Sequence, residues 1–448
     1  MHGCVGTEEA ARHWLATLRR ARVAAVLLCS SLLGGVVAAA AGDFESVPDQ
    51  SPSSLLPAPL ATGSDFHVVD PVHGDGLMYQ FVIDSRFGKF AAYGRTALEL
   101  RIREIHALSE LARTSSIQIV ADGVEHGVES EFKTALGVMA NPVGTVAGIP
   151  QGIAHLFHGY TAQGQEILAD AARAGDSSTS TAATRHDLRK GEDAAKRYAE
   201  RYLGVTAAER RWYRRLGVSP YTDNPVLRAA VRRAARTEAV GSFGMKFASL
   251  PAIPGIDLTQ HAVDAIYNED PAAVRARTRK TLAGYGLRPQ EIDSWLNAPL
   301  LNPARQVVLL MLAEQLDGVA GRAELFRHSL GLTSNAEVQV YLLSTELLVA
   351  AHRTHPLTSI APEVRLPSGQ RVDGRVVVGG SFEAVYWTEA VAKAEEQLRT
   401  SLPEESRAAG RELWLAGTLS ARARSELRAR DWELHEMPPA PSGETATR

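Results

Sequence analysis

ELWLAGTLSARARSELRARDWELHEM, residues 412–437, reads as strand, helix, strand. ELWLAG and WELHEM read as short strands, and LSARARSELRARD between them reads as helix. A helical crossover joining two strands of one sheet leaves them parallel. Upstream, APEVRLPSGQRVDGRVVVGG, residues 361–380, carries two short strand-like runs around a Pro-Ser-Gly turn, and TEAVAKAEEQLR, residues 388–399, is helical. Residues 356–438 therefore form a C-terminal α/β unit with a β-α-β ending, followed by a disordered tail over 439–448.

The middle of the chain, 185–355, reads as helical. Asn224 before Pro225 is an N-cap and first-turn pair, and Arg288-Pro289-Gln-Glu-Ile-Asp opens another helix. PARQVVLLMLAEQLDGVAG (303–321) and AEVQVYLLSTELLVAAHR (336–353) have the composition of buried helices. A Ser/Thr-rich joint, AGDSSTSTAAT at 174–184, separates this region from an N-terminal module over 65–173. In that module LMYQFVID alternates, with Leu77, Tyr79, Phe81 and Ile83 on one face, which is strand spacing. SRFG turns the chain into KFAAYG as a β-hairpin. Thr96 and Glu99 then have capping-box spacing for a helix running to about Arg113, with a further strand expected around 117–120. The fold class is α+β, predominantly helical: an N-terminal hairpin and helix module, a helical middle and the C-terminal mixed unit.

A chain of 448 residues with 45% hydrophobic and 22% charged residues is globular and long enough for two or three domains. Around Arg19, Arg20 and Arg22 a basic segment precedes an uncharged apolar run from Val23 to Val37 and then small residues near Ala40. That pattern predicts a signal peptide over 1–41 and export to the periplasm or cell exterior. The run is short for a membrane-spanning anchor. Residues 42–64, rich in Pro and Ser, read as a flexible linker. Both cysteines, Cys4 and Cys29, fall in the leader, so the exported chain has no disulfide and no thiolate ligand. The net charge of −3 becomes about −5 once the leader is removed, which argues against nucleic acid as a partner.

The common catalytic signatures are missing: no H-E-x-x-H, G-x-S-x-G, Walker A loop or G-x-G-x-x-G occurs. Ser130 and Lys133 match S-x-x-K without its companion motifs. Histidines and carboxylates are dense in the N-terminal module. Without thiolates, a divalent metal would rest on imidazole and carboxylate. The candidates are His67, His73, Asp122, His126, His155 and His158, with Asp70, Asp75, Glu104, His106, Glu125 and Glu129 nearby in sequence. His352 and His355 lie at a helix end, where capping is the expected role.

From 185 to 236 there are fourteen Lys or Arg against six Asp or Glu. Within that band ERRWYRRLG interleaves Arg210, Arg211, Arg214 and Arg215 with Trp212 and Tyr213, a composition suited to an anionic surface or to the wet face of an amphipathic helix. Finally, NPVGTVAGIPQGIAHLF, residues 141–157, has no charged side chain and spaces Gly144, Gly148 and Gly152 by four. Pro142 and Pro150 divide the stretch into pieces too short to span a membrane, so the glycines read as a close-packing helix seam leading to an apolar stripe of Ile153, Leu156 and Phe157. These observations favour a non-catalytic, envelope-associated protein that binds a partner protein or an anionic surface. The competing reading is a periplasmic or secreted hydrolase using the His/carboxylate cluster.

Overall fold

The computed structural model describes residues 44–114, 153, 156–157, 193, 195–236, 254–402 and 404–437. Two short helices, α1 (Pro52–Leu55) and α2 (Ala58–Ala61), precede an antiparallel sheet of β1 (Thr62–Gly63), β2 (Phe66–Val68), β3 (His73–Gly74), β4 (Tyr79–Ser85) and β5 (Gly88–Tyr93). β4 is the hub: β2, β3 and β5 all pair with it. The hairpin turns at Arg86-Phe87 between Ser85 and Gly88, where SRFG places it. Phe81, Ile83, Phe90 and Ala92 face inward at alternate positions and are buried. Residues 45–63, whose composition reads as a tether, are held down: Gln50 bridges to Val72, and Glu45 bonds the Trp387 backbone.

Helix α3 (Arg95–Thr114) follows and packs Leu98, Ile102, Ile105 and Leu108 against this sheet. After a π-helical turn (Ala199–Leu203) come α4 (Ala207–Leu216) and α5 (Pro225–Arg236). These two close the same core through Trp212, Leu216, Leu227 and Val231. The helical stretch expected over 185–355 is thus divided between two cores, because the apolar stripes of α4 and α5 fit the N-terminal sheet. Asn224 caps α5 as its sequence indicates, its Oδ1 accepting the Val226 and Leu227 N–H groups at 3.1 and 3.2 Å.

The second core joins α6 (Gln260–Tyr267), α7 (Pro271–Gly284), α8 (Pro289–Leu296), α9 (Pro303–Glu314), α10 (Ala323–Leu330) and α11 (Asn335–Thr354) to the C-terminal sheet. Ile153, Leu156 and Phe157 also belong to it, at 0%, 0% and 6% exposure, and Phe157 stacks on Phe382 at 5.8 Å. The apolar stripe after the glycine ladder is core rather than docking surface, and such burial is worth roughly 1.5–3 kcal/mol per side chain. Gly144, Gly148 and Gly152 themselves lie outside the described residues.

The C-terminal sheet runs β10-β9-β8-β7-β6, with β6 (Leu357–Ile360), β7 (Ser368–Arg371), β8 (Val376–Val385), β9 (Arg411–Leu419) and β10 (Trp432–Met437). β6, β7 and β8 form an antiparallel meander. Crossovers through α12 (Glu389–Ser401) with α13 (Glu404–Ala409), and through α14 (Ala421–Ala429), make β9 and β10 parallel additions. The expected Pro-Ser-Gly turn falls elsewhere. Ser368 and Gly369 already belong to β7, and the chain reverses at Val372-Asp373-Gly374, where Gly374 supplies φ 83°. Val376, Val377 and Val378 are buried in succession, the mark of a strand covered on both faces. Gly379 is required by close approach, since a Cβ there would meet the Ser344 carbonyl of α11 at 2.2 Å. Among the described residues, no helix is long and apolar enough to cross a membrane.

Candidate functional site

Of the six residues expected to hold a metal, His67 and His73 are described, while Asp122, His126, His155 and His158 lie outside the described residues, as do Ser130 and Lys133. His67 pairs in register with Asp84 and His73 with Gln80, four residues apart on β4. That separation is about 13 Å along the strand, so the two imidazoles are not brought to one ion. His73 Nδ1 instead meets Asp49 at 2.7 Å. Glu104 is buried on α3 and takes up Arg101 at 2.8 Å and the Asn224 amide at 3.1 Å. His352 does not cap carbonyls: its Nδ1 accepts the Leu357 N–H at 3.0 Å and anchors the start of β6.

The arginine-aromatic band is amphipathic. Arg210 is buried and donates to the Val205 carbonyl at 2.7 Å; Trp212 and Tyr213 are buried beside it. Arg211 and Arg214 face out, Arg214 bonding Asn268 at 2.7 Å, and Arg215 lies over the Trp212 ring at 5.9 Å. A capping box explains the helix start: Thr206 accepts the Glu209 N–H, and the Glu209 carboxylate accepts the Thr206 N–H. On α5 the outward positions are Arg232, Arg233 and Arg236, with Glu209 3.6 Å from Arg232.

Two polar clusters, of whose members only Asp75 figures in the sequence reading, occupy opposite ends of β8 and β9. The first is a seam between the two sheets. The β8–β9 register slips between Ser381 and Ala384, leaving a bulge opposite Gly417. Gly417 has φ 130°, and a Cβ there would stand 1.8 Å from the Phe382 carbonyl oxygen. A bulge re-aims the side chain it contains, and Glu383 here reaches out of the sheet. Its carboxylate accepts the Tyr79 N–H at 2.8 Å and the Arg95 N–H at the start of α3. The helix therefore begins one residue before Thr96 on a distant carboxylate that suits its dipole, and Glu99 pairs instead with Arg95 at 3.2 Å. Asp75 stands nearby, accepting the Leu77 and Met78 N–H groups at 2.9 Å and the Tyr93 hydroxyl. Burial, with Asp75 adding to it, pushes the Glu383 carboxyl up to about 7 despite the two N–H donors. Burial likewise raises Asp75 and Tyr93.

The second cluster lies at the start of β9 and β10. Parallel register sets Glu433 beside Glu412 and His435 beside Trp414, and two-residue periodicity puts all four on one face. Glu412 is 1% exposed; Arg371 of β7 binds its Oε1, and Trp414 Nε1 donates to its Oε2 at 3.2 Å. Arg375 holds Glu433 Oε2, and Asp373 lies 3.1 Å from Arg371. The His435 ring stacks on Trp414 at 4.8 Å. Its Nε2 lies 3.4 Å from Glu412 Oε2 and 3.5 Å from Glu433 Oε1. These three ligand-capable atoms are mutually within 4.8 Å.

No family model, no curated protein and no solved structure matches this chain.

Proposed function

We propose that this chain is an exported, envelope-associated protein that binds an anionic surface through the outer face of α4 and α5, without catalysing a reaction itself. The observation that carries the reading is the division of labour in these two helices. Their apolar faces are consumed by the N-terminal core, while Arg211, Arg214, Arg232, Arg233 and Arg236 are exposed. The basic segment and apolar run before Ala40 support export. Contact would be electrostatic and salt-sensitive, because the aromatic residues of the band are already buried and cannot insert.

Sedimentation of the leaderless protein with phosphatidylglycerol vesicles tests this. Association is expected at low salt and should be lost at high salt. Reversing three charges together (Arg211→Glu, Arg232→Glu, Arg236→Glu) should weaken it on the order of 100-fold, since each basic residue near an anionic surface contributes about 1 kcal/mol. Absence of pelleting at low salt, or unchanged pelleting of the triple variant, would remove the proposal.

A further inference from the structure

The cluster at the start of β9 and β10 contains a group that hydrogen bonding leaves unexplained. His435 Nε2 is sealed from solvent and has no hydrogen-bond partner, although two carboxylate oxygens lie 3.4 and 3.5 Å away. A protonated imidazole bonding either oxygen would close to about 2.7–2.9 Å. The observed separations instead resemble the edge of a tetrahedron, about 3.3 Å, formed by nitrogen and oxygen ligands 2.0–2.1 Å from zinc. The geometry points to Glu412, Glu433 and His435 as the ligands of one zinc-like divalent cation.

The surroundings fit such an ion. Arg371 and Arg375 occupy the far oxygens, Glu412 Oε1 and Glu433 Oε2, and so turn Glu412 Oε2 and Glu433 Oε1 toward the imidazole. Ligating carboxylates are commonly oriented by such outer partners. With Asp373 in contact with Arg371, three carboxylates face two guanidinium groups, one acidic group in excess around the imidazole. Stacking on Trp414 fixes the plane of the imidazole. Three protein ligands leave a fourth position, on the side where Glu433 is half exposed, for water or an anionic group. The site is independent of the arginine face of α4 and α5, and it uses none of His67, His73, Asp122, His126, His155 or His158.

Equilibrium dialysis of the untagged full chain against zinc chloride decides the matter. One zinc per chain is expected. Glu412 is embedded in the sheet, so the informative variants are His435→Ala and Glu433→Gln on the edge strand, checked for native circular dichroism. His435→Ala should weaken binding on the order of 100-fold and Glu433→Gln on the order of tenfold. The proposal is overturned if the wild type takes up no stoichiometric zinc. It is equally overturned if both variants bind as the wild type does, which would put the metal among other residues of the chain.

Discussion

The two polar clusters at opposite ends of β8 and β9 are both built around paired carboxylates and reach opposite states of completion. At the seam, each oxygen of Glu383 and Asp75 has a donor, and most of those donors are backbone N–H groups. At the head of β9 and β10, one buried imidazole nitrogen has none. A buried polar group that is fully paired holds structure, whereas one left unpaired costs free energy until something fills the gap. The seam therefore reads as a fastening between the sheets, and the β9–β10 cluster as a place for a cation.

The largest expected effect lies in the bulge that creates the seam. Gly417→Ala would drive a Cβ into the Phe382 carbonyl at a left-handed backbone position. It should destabilise the fold by at least about 4 kcal/mol and yield no cooperative thermal transition. A variant melting like the wild type would show that the bulge does not depend on the close approach of Gly417 to the Phe382 carbonyl.

Glu383→Gln comes next. The amide sets its NH2 donor against one of the Tyr79 and Arg95 N–H groups, where the hydroxyl of the neutral acid can still accept, and the loss should be roughly 1–3 kcal/mol near pH 5. Its pH dependence is more telling. The Glu383 carboxyl sits at about 7 in the fold against an ordinary 4.5, so the folded state holds the proton more tightly. The stability this provides is complete below pH 4.5 and is lost as pH rises through 7, up to about 3 kcal/mol. His328, pushed down to about 4 by burial, contributes with opposite sign between about 4 and 6.5. The difference between wild type and Glu383→Gln isolates the seam: the gap in urea midpoint should narrow from pH 5 to pH 8. A gap independent of pH would mean that Glu383 is ionised throughout.

The smallest effect should come from His435→Ala without metal. Removing a ring stacked on Trp414 at the sheet edge costs about 0.5–1.5 kcal/mol. A much larger loss would make His435 a structural member of the sheet.

How far the sequence revealed this arrangement depends on distance along the chain. The hairpin at SRFG, the Asn224 cap and the strand-helix-strand ending are local patterns, and each stands where its residues indicate. The seam is not local: Glu383 caps a helix 288 residues earlier, and nothing near Thr96 or Glu99 announces it. The membership of α4 and α5 in the N-terminal core was hidden for a similar reason, since an amphipathic stripe does not name the surface it covers. The Glu412–Glu433–His435 group was half visible. Glu412-Leu-Trp414 and Glu433-Leu-His435 repeat a two-residue spacing on strands already read as parallel. Only the register, which sequence does not supply, brings the two pairs together.

The contrast between the clusters is tested most directly by the zinc-induced shift in melting temperature, measured for wild type, Glu383→Gln and His435→Ala. A ligand that binds only the folded chain raises its stability by mass action. At one zinc concentration, the wild type and Glu383→Gln should rise by the same amount and His435→Ala by far less. A wild type insensitive to zinc, or a His435→Ala variant that responds as fully as the wild type, would contradict the account.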